Sequence, residues 1–152
     1  MKFFAAIAVL AVAAVAKAQS PVFSDCSAGV STDISVTGLT LAPYPLCIGQ
    51  TVCATITGTL SNPITAGSTL SIIGRYLGRV VYSDNHDLCT VLAASGLPCT
   101  VNPPKSTVTA CIPVLSSAPA SIPVALTIQA VNGNSNLIFC QSATVTAQNC
   151  PV

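Results

Sequence analysis

Charged side chains are scarce in this sequence: among its 152 residues, Lys and Arg together number 5, and Asp and Glu together number 4. Glu and Trp are absent altogether. So little positive charge excludes a protein that binds nucleic acid along its phosphates, and the lack of Trp excludes a Trp-lined carbohydrate platform. Hydrophobic residues make up 51% of the chain, which excludes an intrinsically disordered protein. The composition favours one folded domain whose partner is neutral or apolar.

The N-terminus has the pattern of a secretory signal peptide. Lys2 is followed by an apolar stretch over residues 3–16, which ends in the motif Ala16-Lys17-Ala18. A membrane-spanning helix needs about 20 apolar residues, so the stretch is too short for one, and the small-x-small ending is typical of a cleavage site. We predict a signal peptide over residues 1–18 and a mature domain over residues 19–152.

The cysteines all follow the predicted cleavage site. There are 8 of them, and an even number in an oxidising compartment predicts complete pairing into disulfides. Number and spacing leave the pairing open. A zinc site is disfavoured, because paired zinc ligands are separated by about two to four residues and the closest spacing here, Cys47 to Cys53, is longer. We predict no metal and no other cofactor.

Apolar and polar residues alternate with a period of two along several stretches. Over residues 51–60, Val52, Ala54 and Ile56 share one face while Thr55 and Thr57 share the other, which predicts a half-buried β-strand. Similar runs cover residues 33–41, 70–82, 107–115, 122–131 and 137–147. Between the last two runs, residues 132–134 read Asn-Gly-Asn, which predicts a tight hairpin with positive φ angles. The chain is predicted to be an all-β antiparallel sandwich.

Several short motifs, taken in order, resemble the ML lipid-recognition domain family over essentially the whole mature chain. This family includes Niemann-Pick type C sterol carriers and fungal phosphatidylglycerol/phosphatidylinositol transfer proteins, and the sequence is most similar to the latter. The motifs that carry the resemblance include Asp25-Cys26-Ser27, Gly74-Arg75-Tyr76-Leu77-Gly78, Asp87-Leu88-Cys89, Ile112-Pro113-Val114 and Phe139-Cys140.

The resemblance implies an immunoglobulin-like sandwich whose two sheets are splayed around an apolar cavity and stapled by disulfides. It further implies that Cys26 pairs with Cys140, Cys47 with Cys53, and Cys89 with Cys99. Cys111 and Cys150 fall outside the basic cysteine set of the family, and we expect them to pair with each other.

The residues themselves also favour a cavity. The sequence has no Trp and only 4 Phe, and many inward positions of the predicted strands are Ala, Val or Gly, so the sheets have few large side chains to fill the space between them. An acyl chain entering such a space gains about 0.8 kcal/mol for each methylene. The alternative is a structural or adhesive sandwich with a filled core. From strand parity and the strand order of the family, the residues expected to line the cavity are Ile56, Ile72, Tyr76, Tyr82, Val108, Ile112, Val114, Leu126, Ile128 and Phe139.

The expected function is binding of lipid, a phospholipid or a sterol, and its transfer between membranes. Arg75, Arg79 and Lys105 are the candidate contacts for a lipid headgroup, because they are the only cations after the signal peptide. The protein is expected to dock transiently on membranes as a monomer, in a secreted or a vacuolar or endosomal location. The expected docking residues are exposed apolar ones near Leu92, Leu97, Leu115 and Ile122.

An enzymatic function is not expected. The best catalytic candidate is the segment Asp84-Asn85-His86-Asp87, which contains the only histidine of the chain between two carboxylates. No Gly-x-Ser-x-Gly nucleophile turn accompanies it, and the resemblance gives Asp87 a structural role before a bridged loop.

Overall fold

The computed structural model describes residues 20–151, and the predicted signal peptide over residues 1–18 lies outside them. The described chain forms short and long β-strands and one short helix. Their bounds are β1 Ser24–Asp25, β2 Ile34–Ala42, β3 Leu46–Cys47, β4 Thr51–Leu60, β5 Thr69–Tyr76, β6 Arg79–Asp87, α1 Leu88–Ala94, β7 Thr107–Pro113, β8 Pro123–Val131 and β9 Leu137–Gln148.

The strands form two sheets that face each other, which confirms the predicted all-β sandwich. The 6-stranded sheet has the order β1-β9-β8-β5-β6, with β3 also paired to β9, and the 3-stranded sheet has the order β2-β4-β7. Apart from the parallel pair of β3 and β9, the pairs are antiparallel. The predicted run over residues 70–82 is divided into β5 and β6, because the chain reverses at Leu77 and Gly78, which both have positive φ.

Alternating burial along the strands builds the core between the sheets. In β8, Val124, Leu126, Ile128 and Ala130 are buried, while the residues between them are exposed or half-buried. β5 shows the same pattern, and its Ile72 lies opposite Ile128 of β8. The apolar faces of both sheets therefore point at each other, as the period of two in the sequence predicts.

Two of the four expected disulfides are wrong. Cys26 pairs with Cys140 and Cys89 with Cys99, as the resemblance implies, but Cys47 pairs with Cys150 and Cys53 with Cys111. The strand register explains the difference.

Cys53 of β4 lies directly opposite Cys111 of β7, at a Cα–Cα distance of 4.0 Å. Cys47 of β3 lies opposite Gln148, which brings it next to the C-terminal tail that carries Cys150. Cys53 is thus committed to a neighbouring strand and is not available to Cys47. None of the four bridges links a strand of one sheet to a strand of the other.

A buried network of polar side chains joins the two sheets at one end. Asp33, which precedes β2, and Asn132, which follows β8, are only 2% and 3% exposed. The side-chain amide of Asn132 donates to Asp33 Oδ2 at 2.8 Å, and Asn62 donates to Asp33 Oδ1 at 2.8 Å. Asn132 Oδ1 in turn accepts from the Thr65 backbone at 3.0 Å and from Ser68 Oγ at 3.1 Å. The carboxylate of Asp33 is therefore held by amide donors rather than by a cation.

The hairpin between β8 and β9 differs in detail from its prediction. The positive φ angle lies at Ser135 and not within residues 132–134. Gly133 is required for a different reason: a Cβ atom there would collide with the backbone oxygen of Ala66. The Asn-Gly pair thus fits a close approach of two loops, and the side chain of Asn132 is used inside the buried network.

Candidate functional site

The two sheets enclose an apolar cavity, and its lining includes every residue expected there except Tyr76. The expected residues that border it are Ile56, Ile72, Tyr82, Val108, Ile112, Val114, Leu126, Ile128 and Phe139. The expectation missed several others, among them Leu39, Leu41, Ala54, Ala110, Val124 and Val145. Most of these share the inward parity of a strand whose other inward residues were chosen, so the same alternation could have found them.

Tyr76 does not line the cavity, although it has the same parity as Ile72. It is the last residue of β5 and is followed by the turn at Leu77 and Gly78. The last pair between β5 and β8 is Arg75 with Ala125, so Tyr76 extends past the neighbouring strand. Its side chain is 37% exposed for that reason.

The cavity has a volume of about 100 Å³. A water-sized group needs about 10–15 Å³ on this measure, so the space suits roughly seven to ten such groups. The core is therefore not filled by the side chains of the protein.

One end of the cavity is closed and the other is open. At the closed end, α1 packs against β5, β6 and β7, and the lining residues Ile64, Leu92 and Ile138 are at most 1% exposed. At the opposite end, Pro113 is exposed, and Tyr82, Ala118 and Pro119 are half-buried. We call this second end, bordered by Tyr82, Pro113, Ala118 and Pro119, the mouth.

Polar side chains of β6 face inward beside the cavity. Tyr82, Asp84 and His86 lie opposite Gly74, Ile72 and Leu70 of β5, so they share the inner face of the sheet. His86 Nε2 lies 2.8 Å from Asp84 Oδ2. The Tyr82 hydroxyl accepts from the Leu115 backbone at 3.4 Å and donates to Asp84 Oδ2 at 3.5 Å.

The structure divides the catalytic candidate segment between two faces. Asp84 and His86 point inward, whereas the carboxylate of Asp87 accepts from the Thr90 backbone at 2.8 Å and caps α1. A capping carboxylate stabilises the first turn of a helix. Across residues 20–151, no group of three His, Cys, Asp or Glu side chains is arranged to hold a metal ion.

Burial raises the pKa of Tyr82 above its ordinary value of 10.0, and the nearby Asp84 adds to the increase, while the hydrogen bond from Leu115 opposes it. Because the unfolded chain releases this proton at lower pH than the folded chain, the contribution of Tyr82 to stability is complete below pH 10 and is lost as pH rises through the folded pKa. We expect the free energy of unfolding of the wild type to fall more steeply above about pH 10 than that of Tyr82→Phe. Urea unfolding of both proteins between about pH 8 and pH 11 measures this, and equal slopes would contradict it.

The cations do not reach the cavity. Arg75 and Arg79 are exposed near the turn between β5 and β6, Lys105 is exposed before β7, and none of the three borders the cavity. The expected docking residues do not form an exposed apolar surface either. Leu92 is fully buried, and Leu97, Leu115 and Ile122 are half-buried. Leu92 is buried because α1 turns it inward to close the cavity.

The fold and the cavity place the protein in the class of small disulfide-bonded β-sandwiches built around an internal apolar space. Within this class the chain belongs to the ML domain family, whose model matches residues 20–147. No curated protein matches the sequence.

The solved structures that share the fold include the following two. A Niemann-Pick type C2 protein from Japanese carpenter ant is 14% identical, with a TM-score of 0.64, over 84% of this chain and 99% of that one. Chicken MD-1, in complex with lipid IVa, is 15% identical, with a TM-score of 0.55, over 82% of this chain and 86% of that one. Among residues 20–151, no helix has the length and apolar character needed to cross a bilayer.

Proposed function

We propose that this protein binds lipid in the cavity between its sheets and carries it between membranes without chemical change. The observation that supports this most directly is the cavity itself, which has about 100 Å³ of space and an almost wholly apolar lining. Membership of the ML domain family and the lipid IVa bound to chicken MD-1 agree with it.

The size of the cavity favours one hydrocarbon chain at a time. Space for roughly seven to ten methylene-sized groups corresponds to a gross gain of about 6–8 kcal/mol, and because association costs part of this gain, micromolar is the tightest affinity that the burial supports. A medium-length fatty acid, or the terminal part of one phospholipid tail, matches this volume. A sterol, or a phospholipid with both tails inside, requires the sheets to move apart.

Transfer of the lipid follows from its partition out of water and into an apolar site. A lipid leaves a bilayer slowly because its tail has to cross water, and a protein that offers continuous apolar contact at the membrane lowers that barrier without making a bond. The open mouth and closed far end suit entry of a chain tail first. We place this activity outside the cytosol, in a secreted or a vacuolar or endosomal location, because the chain is disulfide-bonded throughout. No catalytic step is proposed.

Organic extraction of the purified protein followed by mass spectrometry tests the proposal. We expect lipid in near-equimolar amount, with single-chain lipids or loosely held phospholipids dominating the extract. Titration of the delipidated protein with a fluorescent fatty acid should then show one site. A clean extract together with no saturable binding would favour a structural module instead.

A further inference from the structure

The turn between β5 and β6 exposes the largest apolar side chains near the mouth. We call residues 75–80 the hairpin tip. Within it Leu77 is 85% exposed, Val80 56% and Tyr76 37%. Outside the tip, the other large apolar residues that are exposed among residues 20–151 are Val22 and Val30, close to the N-terminus of the described chain.

Leu77 is unsuited to its position by local criteria. Its φ angle is +49°, and the left-handed region is unfavourable for a bulky residue and is normally occupied by Asn, Asp or Gly in a two-residue hairpin turn. The side chain gains no burial in return. Neither turn geometry nor packing within the protein accounts for a leucine here, and such outliers are found where a surface has a function.

The hairpin tip is also the most basic part of the described chain. It contains Arg75 and Arg79, and Lys105 is the only other Lys or Arg among residues 20–151. No Asp or Glu lies between Asp33 and Asp84 in the sequence. Within the described residues neither arginine forms an ion pair, so both guanidinium groups are available to an outside anion.

The hairpin tip lies at the same end of the sandwich as the mouth. Gly74 pairs with Tyr82, which borders the mouth, and a Cβ atom at Gly74 would contact Val124 of the cavity lining. The tip then extends past the last β8 pair, Arg75 with Ala125, by about two residues on each arm, which is roughly 7 Å. Any surface that binds the hairpin tip therefore lies next to the mouth.

We propose that the hairpin tip docks the protein on an anionic lipid bilayer. Leu77, Val80 and Tyr76 enter the interfacial region, and Arg75 and Arg79 contact lipid phosphates. Aromatic and aliphatic residues beside arginines are the combination that binds such interfaces. The inference rests on the proposed function in one respect: docking here presents the mouth to the source of the lipid.

Vesicle flotation tests the docking separately from lipid binding. The probes are vesicles of phosphatidylcholine with and without phosphatidylglycerol, at low and high salt. Leu77→Asn removes the apolar side chain and suits a positive φ angle, so the fold is retained. Val30→Gln is the matched control, since Val30 is 58% exposed and lies shortly before Asp33, at the end of the sandwich away from the mouth. Arg75→Gln and Arg79→Gln remove tip charges, and Lys105→Gln is their control.

We expect wild-type binding to require phosphatidylglycerol and to weaken with salt. Leu77→Asn should weaken it about tenfold, and each arginine variant about fivefold, while the controls match the wild type. All variants should still bind a fluorescent fatty acid in solution. Vesicle binding by Leu77→Asn equal to that of Val30→Gln would overturn the docking proposal. Self-association through the tip, or a protein partner bound there, would overturn it as well. Vesicle binding without fatty-acid binding would overturn the proposed function and leave the docking intact.

Discussion

Ala110→Phe is expected to abolish lipid binding while leaving the protein folded. Ala110 of β7 lies opposite Ala54 of β4, and both line the cavity. A cavity of about 150 Å³ holds one benzene molecule, so a phenyl ring is large enough to fill the cavity of about 100 Å³ completely. Displacing about five methylenes of a bound chain costs about 4 kcal/mol, which weakens binding about a thousandfold.

Fluorescent fatty-acid titration measures this effect, and thermal unfolding checks the fold. Ala125→Phe is the matched control, because Ala125 is exposed on β8 and does not border the cavity. We expect Ala110→Phe to unfold cooperatively, with a loss of stability of at most about 1–3 kcal/mol, because a ring that overfills the cavity costs that much. Unchanged affinity in a folded Ala110→Phe protein would show that the ligand lies elsewhere.

Asn132→Leu is expected to destabilise the protein by about 2–3 kcal/mol, because it leaves buried hydrogen-bonding groups without their partners. The substitution removes the amide that donates to Asp33 Oδ2 and the oxygen that accepts from Thr65. Asp33 is 2% exposed, so water does not replace the lost donor. Leu has a similar size, and the loss therefore reports on hydrogen bonding rather than on an empty volume.

Urea unfolding at neutral pH measures this loss. Asn136→Ala in the same loop is the control, because Asn136 is exposed, and its free energy of unfolding is expected to stay within about 0.5 kcal/mol of the wild type. A loss for Asn132→Leu no greater than that of the control would mean that the network contributes little to stability.

Strand parity predicted most of the cavity because burial in a sandwich follows a period of two. It failed at Tyr76, where the strand outlasts its neighbour β8, a property of pairing rather than of periodicity. It also merged β5 and β6 into one run, because Leu77 occupies a turn position where Asn or Gly would have been a signal.

The disulfide pairing could not be predicted for a different reason, which is that it depends on strand register. The pair between Cys53 and Cys111 depends on the register of β4 against β7, and register is invisible until both strands are placed. The role of Asn132 was hidden for the same reason. Its sequence context indicates a turn, whereas its partners Asp33 and Thr65 come from distant parts of the chain.

The placement of the disulfides allows the two sheets to separate at one end, as if about a hinge. Each disulfide stays within one sheet or within the segment around α1. The Asp33–Asn132 hydrogen bond joins the two sheets at the end away from the mouth. The width of the gap between the sheets at the mouth is set by noncovalent contacts alone. Widening of the gap at the mouth therefore breaks no covalent bond and costs only noncovalent contacts, such as the hydrogen bond from the Leu115 backbone to the Tyr82 hydroxyl.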